Sequence, residues 1–214
     1  MDIATDALDR LHTTAASHSR IMLCEIMGNK AGWLTLNAGI AGGADVVLIP
    51  EIPYDIEKVC DAVINRSASG KTFSIIAVAE GAFDVNEAKM KKKERAAKRA
   101  EAGILTATSR IAAQINANTG FEARVCVPGH MLRGGAPSAY DRILATQFGV
   151  HAAKLIADEK YGRTVAKIGN KITSNKLDDI AGKTKFVDPK DQLVVTARDL
   201  GISFLLRQTL LQVQ

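Results

Sequence analysis

The sequence predicts an α/β fold in which a largely parallel sheet is flanked by helices. Continuous apolar runs of the kind found in strands buried on both faces alternate along the chain with helical patterns. No apolar run approaches the roughly 20 residues that a membrane-spanning helix needs. Serial strand–helix units favour a parallel sheet, because each helix carries the chain back across the sheet.

The elements follow in order along the chain. The predicted strands are the runs IMLCEI (21–26), ADVVLIP (44–50), FSIIAVA (73–79) and ARVCV (123–127), with a short later strand TVAKIG (164–169). Helices are predicted over 31–41, 55–67, about 86–118 and 138–160. A last helix should begin with Asp188 as N-cap and Pro189 in its first position. The domain boundary is expected near Leu132, which divides the chain into domains 1–132 and 133–214.

Composition and charge narrow the class of protein. The 214 residues carry a net charge of +5, concentrated in the run KMKKKERAAKR from Lys89 to Arg99. Aromatic residues make up only 5% and none interrupts this run, so we interpret it as a solvated helix face and do not expect a nucleic-acid partner. The N-terminus lacks an apolar signal region, and the three cysteines form no CxxC pair. We therefore expect a cytoplasmic protein without a membrane partner.

Polar or charged residues follow each predicted strand, and at several of these ends they stand beside glycine. In parallel sheets ligands bind at the carboxyl ends of the strands, where loops and helix N-termini meet. The sequence therefore suggests one shared site, although glycines and polar turn residues also occupy such positions in proteins without chemistry. The candidate segments are Met27–Lys30, Pro50–Glu51, Glu80–Gly81 and Pro128–His130.

The loop GHMLRGG, from Gly129 to Gly135, is more specific. His130 and Arg133 are three residues apart, and Arg124 lies on the strand that leads to them. Guanidinium and imidazole groups are suitable donors to phosphate oxygens, and glycines let a ligand approach the backbone. These residues predict a phosphate site, with the alternative that His130 and Arg133 only satisfy loop carbonyls.

Three segments together resemble the 6-phosphofructokinases, both ATP- and pyrophosphate-dependent. They are SHSRIMLCEIMGNKAGWLTLNAGIAGGADVVLIPEIP, AVAEGA and VPGHMLRGGAPSAYDRILATQFG. The resemblance covers nearly the whole chain in order. It implies a phosphofructokinase-like fold of which this chain holds an incomplete part. In the family, fructose 6-phosphate binds in the cleft between two α/β domains and at a subunit interface.

The same resemblance assigns roles to individual residues. Arg20, Arg124 and His130 correspond to residues that hold the sugar 6-phosphate, and the two arginines reach the site from a neighbouring subunit. Glu80 corresponds to the carboxylate that accepts the sugar hydroxyls. The remaining substrate-binding positions are Arg133, a second sugar-phosphate ligand, and Met27 and Gly28, which line the sugar and the transferred phosphoryl group.

Two departures from the family bear on catalysis. Asn29 stands where the family has an arginine near the transferred phosphoryl group. The chain also begins after the Gly-Gly-Asp donor loop and the Thr-Ile-Asp-Asn-Asp segment, which hold the donor, the metal and the catalytic base in the family. We therefore expect no catalytic residue and no metal ligand in this chain. Mg²⁺ and the phosphoryl donor, ATP or pyrophosphate, should not bind tightly to this chain alone, and the isolated chain should be inactive.

Three functions remain open from the sequence. The first is a phosphofructokinase part of glycolysis, a phosphotransferase that binds fructose 6-phosphate or fructose 1,6-bisphosphate. Its expected partners are further copies in a homo-oligomer, or a chain that carries the donor half. The second is a non-catalytic sugar-phosphate-binding or regulatory module that pairs with another chain. The third is a nucleic-acid binder acting through the run from Lys89 to Arg99, which steep salt dependence would reveal.

Overall fold

The computed structural model describes residues 1–104 and 106–204. Two short 3₁₀ helices lie at Glu87–Lys89 and Gly129–Arg133. Within the described residues the α-helices are Asp2–His18 (α1), Trp33–Ala41 (α2), Ile56–Ala68 (α3), Lys92–Glu101 (α4), Ala107–Thr119 (α5), Ala139–Ala157 (α6), Leu177–Ile180 (α7) and Gln192–Asp199 (α8).

The central sheet has four parallel strands, which confirms the predicted fold class. They are Ile21–Ile26 (β1), Val46–Leu48 (β2), Ser74–Ala79 (β3) and Ala123–Cys126 (β4). Their order across the sheet is β2-β3-β1-β4, so β1 lies between β3 and β4. The carboxyl ends of β1 and β3 are level, since Ile26 pairs with Ala79. The loops that follow these two strands therefore start side by side.

Both faces of the sheet are buried, which explains the continuous apolar runs. Along β1, Cys24 faces a core shared with α1, α2 and α8, whereas Leu23 faces a second core shared with α3 and α5. Leu8 of α1 and Ile111 of α5 are fully buried in the two cores. Burying each such side chain contributes about 1.5–3 kcal/mol, so the two layers fix the sheet from both sides.

The predicted helix over about 86–118 is wrong in one respect, because the structure divides this range. A 3₁₀ turn and α4 precede a break at Gly103, whose φ is +66°, a conformation that favours glycine. Helix α5 then starts afresh at Thr106, whose hydroxyl caps the backbone N–H of Ser109 at 3.0 Å. A separate cap makes α5 an independent helix, so that α4 and α5 are two helices and not one.

The chain forms two compact units, the first comprising Met1–Leu132 with the described residues from Phe186 onward, and the second Arg133–Lys185. The C-terminal segment, from Phe186 onward, therefore packs with the first unit, whereas the sequence analysis predicted that it belongs to the domain 133–214. Within the first unit, Ser203 bridges to Val46 of β2. Helix α8 begins later than predicted, with Asp191 as its N-cap at 2.9 Å from the N–H of Leu193.

The second unit contains α6, α7 and a hairpin of Arg163–Ile168 (β5) and Lys171–Lys176 (β6). The two strands are antiparallel, and the sequence predicted only the first of them. Ser138 caps α6, yet none of its residues is buried, so 19 residues of helix contribute no side chain to a core. Among the described helices, none combines the length and the apolarity required to cross a bilayer.

Candidate functional site

The loops after β1 and β3 are joined by backbone hydrogen bonds at the carboxyl edge of the sheet. The N–H of Glu80 donates to Ile26 at 2.9 Å, and that of Gly81 donates to Gly28 at 3.1 Å. A Cβ atom on Gly81 would lie only 2.1 Å from the carbonyl oxygen of Asn29. Because backbone cannot yield to such a contact, only glycine allows these loops to approach so closely.

Glu80 is exposed at this edge. Within the described residues, its carboxylate accepts one long hydrogen bond, from the N–H of Gly28 at 3.5 Å from Oε1. Met27 and Gly28 lie in the adjoining loop, half-buried. The structure thus brings Met27 and Gly28 beside the Glu80 carboxylate, which can still accept hydroxyl hydrogen bonds.

A cavity of about 740 Å³ opens beside this carboxylate. Its volume is in the range of small-molecule sites. The loops after β1, β2 and β3, helix α4 and the C-terminal segment all contribute to its wall. The lining residues include Asn29, Lys30, Pro50, Glu51, Glu80, Gly81, Phe83, Arg95, Arg99, Phe186 and Val187.

Glu51 has a structural role at the wall of this cavity. Its carboxylate accepts the N–H of Gly32 at 2.9 and 3.1 Å and the N–H of Val187 at 2.9 Å. The first contact fixes the start of α2, and the second ties the C-terminal segment to the loop after β2. The Glu51 carboxylate is therefore engaged by backbone N–H groups of the protein itself, which gives it a structural role.

Helix α4 contributes two arginines that the sequence analysis did not assign to the site. The guanidinium carbon of Arg95 lies 4.0 Å from the ring centroid of Phe83, a cation–π contact. Arg99 donates to Glu87 at 2.8 and 2.7 Å and to the carbonyl of Ala82 at 3.1 Å. The four-residue spacing of the arginines puts them on one face of the helix, a signal that was present in the sequence.

A buried ionic network supports α4 from the α5 side. Arg110 donates to Asp84 at 2.7 Å, to Glu87 at 2.6 Å and to the hydroxyl of Tyr54 at 2.6 Å. Burial opposes the charge of Glu87, but the Arg99 hydrogen bond and the charges of Arg110 and Arg99 hold the pKa of Glu87 below its usual range. Glu87 thus links α5 to α4 and, through Arg99, to the cavity.

Arg20 and Arg124 lie at the opposite, amino-terminal end of the sheet. Glu122 holds both, accepting from Nε of Arg20 at 2.6 Å and from Nε of Arg124 at 2.7 Å. These two hydrogen bonds lower the pKa of Glu122. Seven residues of extended chain separate Arg20 from Met27, which is about 23 Å. Within one chain, therefore, Arg20 does not reach Glu80.

His130 and Arg133 fall on either side of the boundary between the units. His130 is exposed in the 3₁₀ turn that follows β4, on the carboxyl edge of the sheet and next to the loop after β1. Arg133 is exposed at the start of the second unit. The structure thus gathers Met27, Gly28, Glu80 and His130 at one edge.

The chain is similar to known phosphofructokinases along most of its length. The phosphofructokinase family profile matches residues 1–156. The chain is 48% identical over 204 residues to the ATP-dependent 6-phosphofructokinase of Spirochaeta thermophila. It is 47% identical over 204 residues to ATP-dependent 6-phosphofructokinase 2 of Clostridium perfringens. Each match covers 95% of this chain and 56% of the relative, so the chain spans about half the length of these relatives.

A solved structure gives the same result for the fold. The phosphofructokinase from Saccharomyces cerevisiae matches with a TM-score of 0.66 and 32% identity, over 82% of this chain and 22% of that chain. The family predicted from the sequence segments is thereby confirmed. With its parallel sheet and the loops that converge on Glu80, the chain belongs to the phosphofructokinase family.

Proposed function

We propose that this chain is the sugar-phosphate-binding part of a 6-phosphofructokinase and that it binds fructose 6-phosphate. One observation carries the proposal: the uncommitted carboxylate of Glu80 borders a cavity whose wall also holds Lys30 and Arg95. A carboxylate accepts sugar hydroxyls and cations bind phosphate, so the two together suit a phosphorylated sugar. The complete activity, phosphorylation of the 1-hydroxyl to fructose 1,6-bisphosphate, belongs to glycolysis and thus to the cytoplasm.

Glycines let the sugar approach the backbone at this edge. Gly28 already has the carbonyl of Ala31 at 3.0 Å from the position of a Cβ atom, and Gly81 has no room for one. Glu80 therefore lies beside a surface formed by the backbone of two glycines, Gly28 and Gly81. We propose that Glu80 orients the sugar ring, while Met27 and Gly28 form the wall on which it lies.

The 6-phosphate is assigned to a site completed by a second subunit. His130 would contribute from one chain and Arg20 and Arg124 from its neighbour, because about 23 Å of strand separates Arg20 from the carboxyl edge of its own sheet. Glu122 keeps the two guanidiniums together in advance of binding. We propose a homo-oligomer on this basis, with a chain carrying the donor half as a further partner.

We assign no binding site for the phosphoryl donor or its metal ion to the described residues. Among the residues that the structure describes, no group of three or more His, Cys, Asp or Glu side chains could hold a metal ion. Mg²⁺ supplied with ATP neutralises phosphate charge during phosphoryl transfer. The names of the relatives support ATP over pyrophosphate as that donor. The residues present fit the sugar phosphate and not the metal, so we propose that the isolated chain is inactive.

A non-catalytic sugar-phosphate sensor is the second candidate. Asn29 at the cavity wall favours it, since an amide cannot replace a cation near a transferred phosphoryl group. A coupled assay with ATP or pyrophosphate, Mg²⁺ and fructose 6-phosphate distinguishes the two functions once a segment that carries the family's donor loop is added in trans. Restored turnover supports the enzyme part, and binding without turnover supports the sensor.

Calorimetric titration with fructose 6-phosphate tests the binding proposal itself. Glu80→Gln, Arg124→Ala and Arg133→Ala should each weaken binding by roughly 10- to 100-fold, the equivalent of one charge-assisted hydrogen bond of about 1.5–3 kcal/mol. Arg10→Ala is the matched control, because Arg10 pairs with Asp6 on the exposed side of α1. Equal binding by all four variants and the parent would contradict the assignment.

A further inference from the structure

Two of the three cysteines are neighbours in the sheet, although they are far apart in sequence. Cys24 of β1 pairs with Cys126 of β4 in the parallel register, so the two side chains leave the sheet on the same face. Cys24 is fully buried in the core shared with α1, α2 and α8, and Cys126 packs against that same core. Both are free thiols, and they are in hydrogen-bond contact with each other.

The spacing of the two strands is compatible with a covalent bond between these sulfur atoms. Adjacent strands lie about 4.8 Å apart, and the Cα atoms of a disulfide are roughly 4.4–6.8 Å apart. The Cβ atoms of a disulfide are about 3.8 Å apart, so bond formation draws β4 toward β1 by on the order of 1 Å. Among the described strands, β4 is at the edge of the sheet and pairs with β1 alone. The movement therefore disturbs no second strand pair.

The two thiols differ in their access to solvent and in their acidity. Cys126 is half-buried at the end of the edge strand, whereas Cys24 is completely buried. Burial, together with the neighbouring Cys126 thiol, raises the pKa of Cys24 to about 12. Because the reactive species is an accessible thiolate, Cys126 is the thiol that meets a dissolved oxidant first. Cys24 then lies in place to form the second bond.

Cys60 is separated from this pair in the folded chain. It lies in the second core, between α3 and α5, on the opposite face of the sheet. Its thiol is hydrogen-bonded to Asn118 of α5. Cys60 therefore provides an internal reference for a cysteine that the fold keeps away from the other two.

We propose that Cys24 and Cys126 form a reversible disulfide, a modification site that responds to peroxides. The Cys126 thiolate attacks one oxygen of hydrogen peroxide, the O–O bond breaks, and the departing hydroxide takes up the Cys126 proton as water. The sulfur of Cys24 then attacks the resulting sulfenic acid, whose S–O bond breaks, and the hydroxyl leaves with the Cys24 proton as a second water. Two thiols lose two electrons and two protons, and one peroxide is reduced to two waters.

The disulfide acts on the edge of the sheet where the candidate functional site lies. Cys24 is three residues before Met27, and Cys126 is four residues before His130. A covalent bond between β1 and β4 at this level fixes the loop after β1 relative to the 3₁₀ turn after β4. Bond formation itself needs no sugar phosphate, so its test is independent of the proposed function.

Disulfide mapping by peptide mass spectrometry tests the site in the full chain. Hydrogen peroxide is added to the folded chain and to the chain in concentrated urea, and the remaining thiols are blocked before digestion. In the folded chain the Cys24–Cys126 pair should exceed each pair that contains Cys60 by at least about tenfold, because its Cα atoms lie within disulfide range. In urea the Cys24–Cys60 pair should become the most abundant, since these cysteines are the closest in sequence and a shorter loop closes at lower entropic cost.

Three variants identify the sulfur atoms. Cys126→Ser should abolish the disulfide and leave Cys24 as a thiol, whereas Cys60→Ser, the matched control, should retain it. Cys24→Ala keeps a small apolar side chain in the core and removes the second thiol, so Cys126 should accumulate as a sulfenic acid that dimedone traps. In the parent, dithiothreitol should restore both thiols.

Two results would overturn the proposal. One is a folded, peroxide-treated chain in which Cys24 and Cys126 stay thiols or Cys126 proceeds to the sulfinic acid without a disulfide. The other is a folded chain in which pairs that contain Cys60 are as abundant as the Cys24–Cys126 pair.

Discussion

Replacing Arg110 by alanine should destabilise the first unit far more than an ordinary surface substitution. The side chains of Arg110, Asp84 and Glu87 are only 12%, 10% and 9% exposed, and the two ion pairs are 2.7 and 2.6 Å long. Without Arg110, Asp84 loses its ionic partner, and Glu87 and the hydroxyl of Tyr54 each lose a donor. Leaving buried charge without its partner typically lowers the free energy of unfolding by about 3–5 kcal/mol.

The ion pair of Arg10 provides a control, because it has the same length as the Arg110–Asp84 pair but is exposed to solvent. It pairs with Asp6 at the same 2.7 Å, but the two side chains are 78% and 59% exposed. Arg10→Ala should therefore change the free energy of unfolding very little, because an exposed ion pair is screened by solvent. Urea denaturation followed by the fluorescence of Trp33, the one tryptophan of the chain, measures both effects in the first unit. Similar free energies of unfolding for the two variants would refute the importance of the buried network.

Three further predictions follow from particular contacts. Gly81→Ala should destabilise the chain by about 1–3 kcal/mol and abolish sugar-phosphate binding, because its Cβ meets a backbone oxygen at 2.1 Å; Gly149→Ala, with open space around it, should do neither. Acid should destabilise the protein through Glu87, because folding lowers the pKa of this carboxylate. The stability that ionised Glu87 contributes is complete above the unfolded pKa of about 4.3 and is lost as the pH falls through the folded pKa. Glu87→Gln should therefore flatten the pH dependence of the free energy of unfolding below about pH 5. Self-association should be visible by light scattering at tens of micromolar protein, since Ile143 and Ile156 of α6 are more than half exposed; a particle of 22.9 kDa would contradict it.

The sheet could be predicted from the sequence because burial on both faces makes each strand continuously apolar. The same logic placed Met27, Gly28 and Glu80 together, since adjacent parallel strands end at one edge. Hydrophobic runs determine which residues are buried, and the chain direction of parallel strands determines where the loops emerge. Both are local or nearly local properties of the sequence.

The role of α4 could not be predicted in this way. The four-residue spacing of Arg95 and Arg99 puts them on one face of the helix, but it does not show which face of this highly charged run packs inward. The tertiary positions of Phe83 and Glu87 distinguish these arginines from the exposed Lys98. Arg20 and Glu122 illustrate the same difficulty, because they are 102 residues apart in sequence and yet form one ion pair. Contacts between distant charged residues leave no periodic signal in the sequence.

A crystal structure of the chain with fructose 1,6-bisphosphate tests the central claim most directly. The account predicts sugar hydroxyls within hydrogen-bond distance of Glu80 and a phosphate beside His130. A bisphosphate bound on the exposed face of α4 around Lys98, with Glu80 left without a ligand contact, would contradict it.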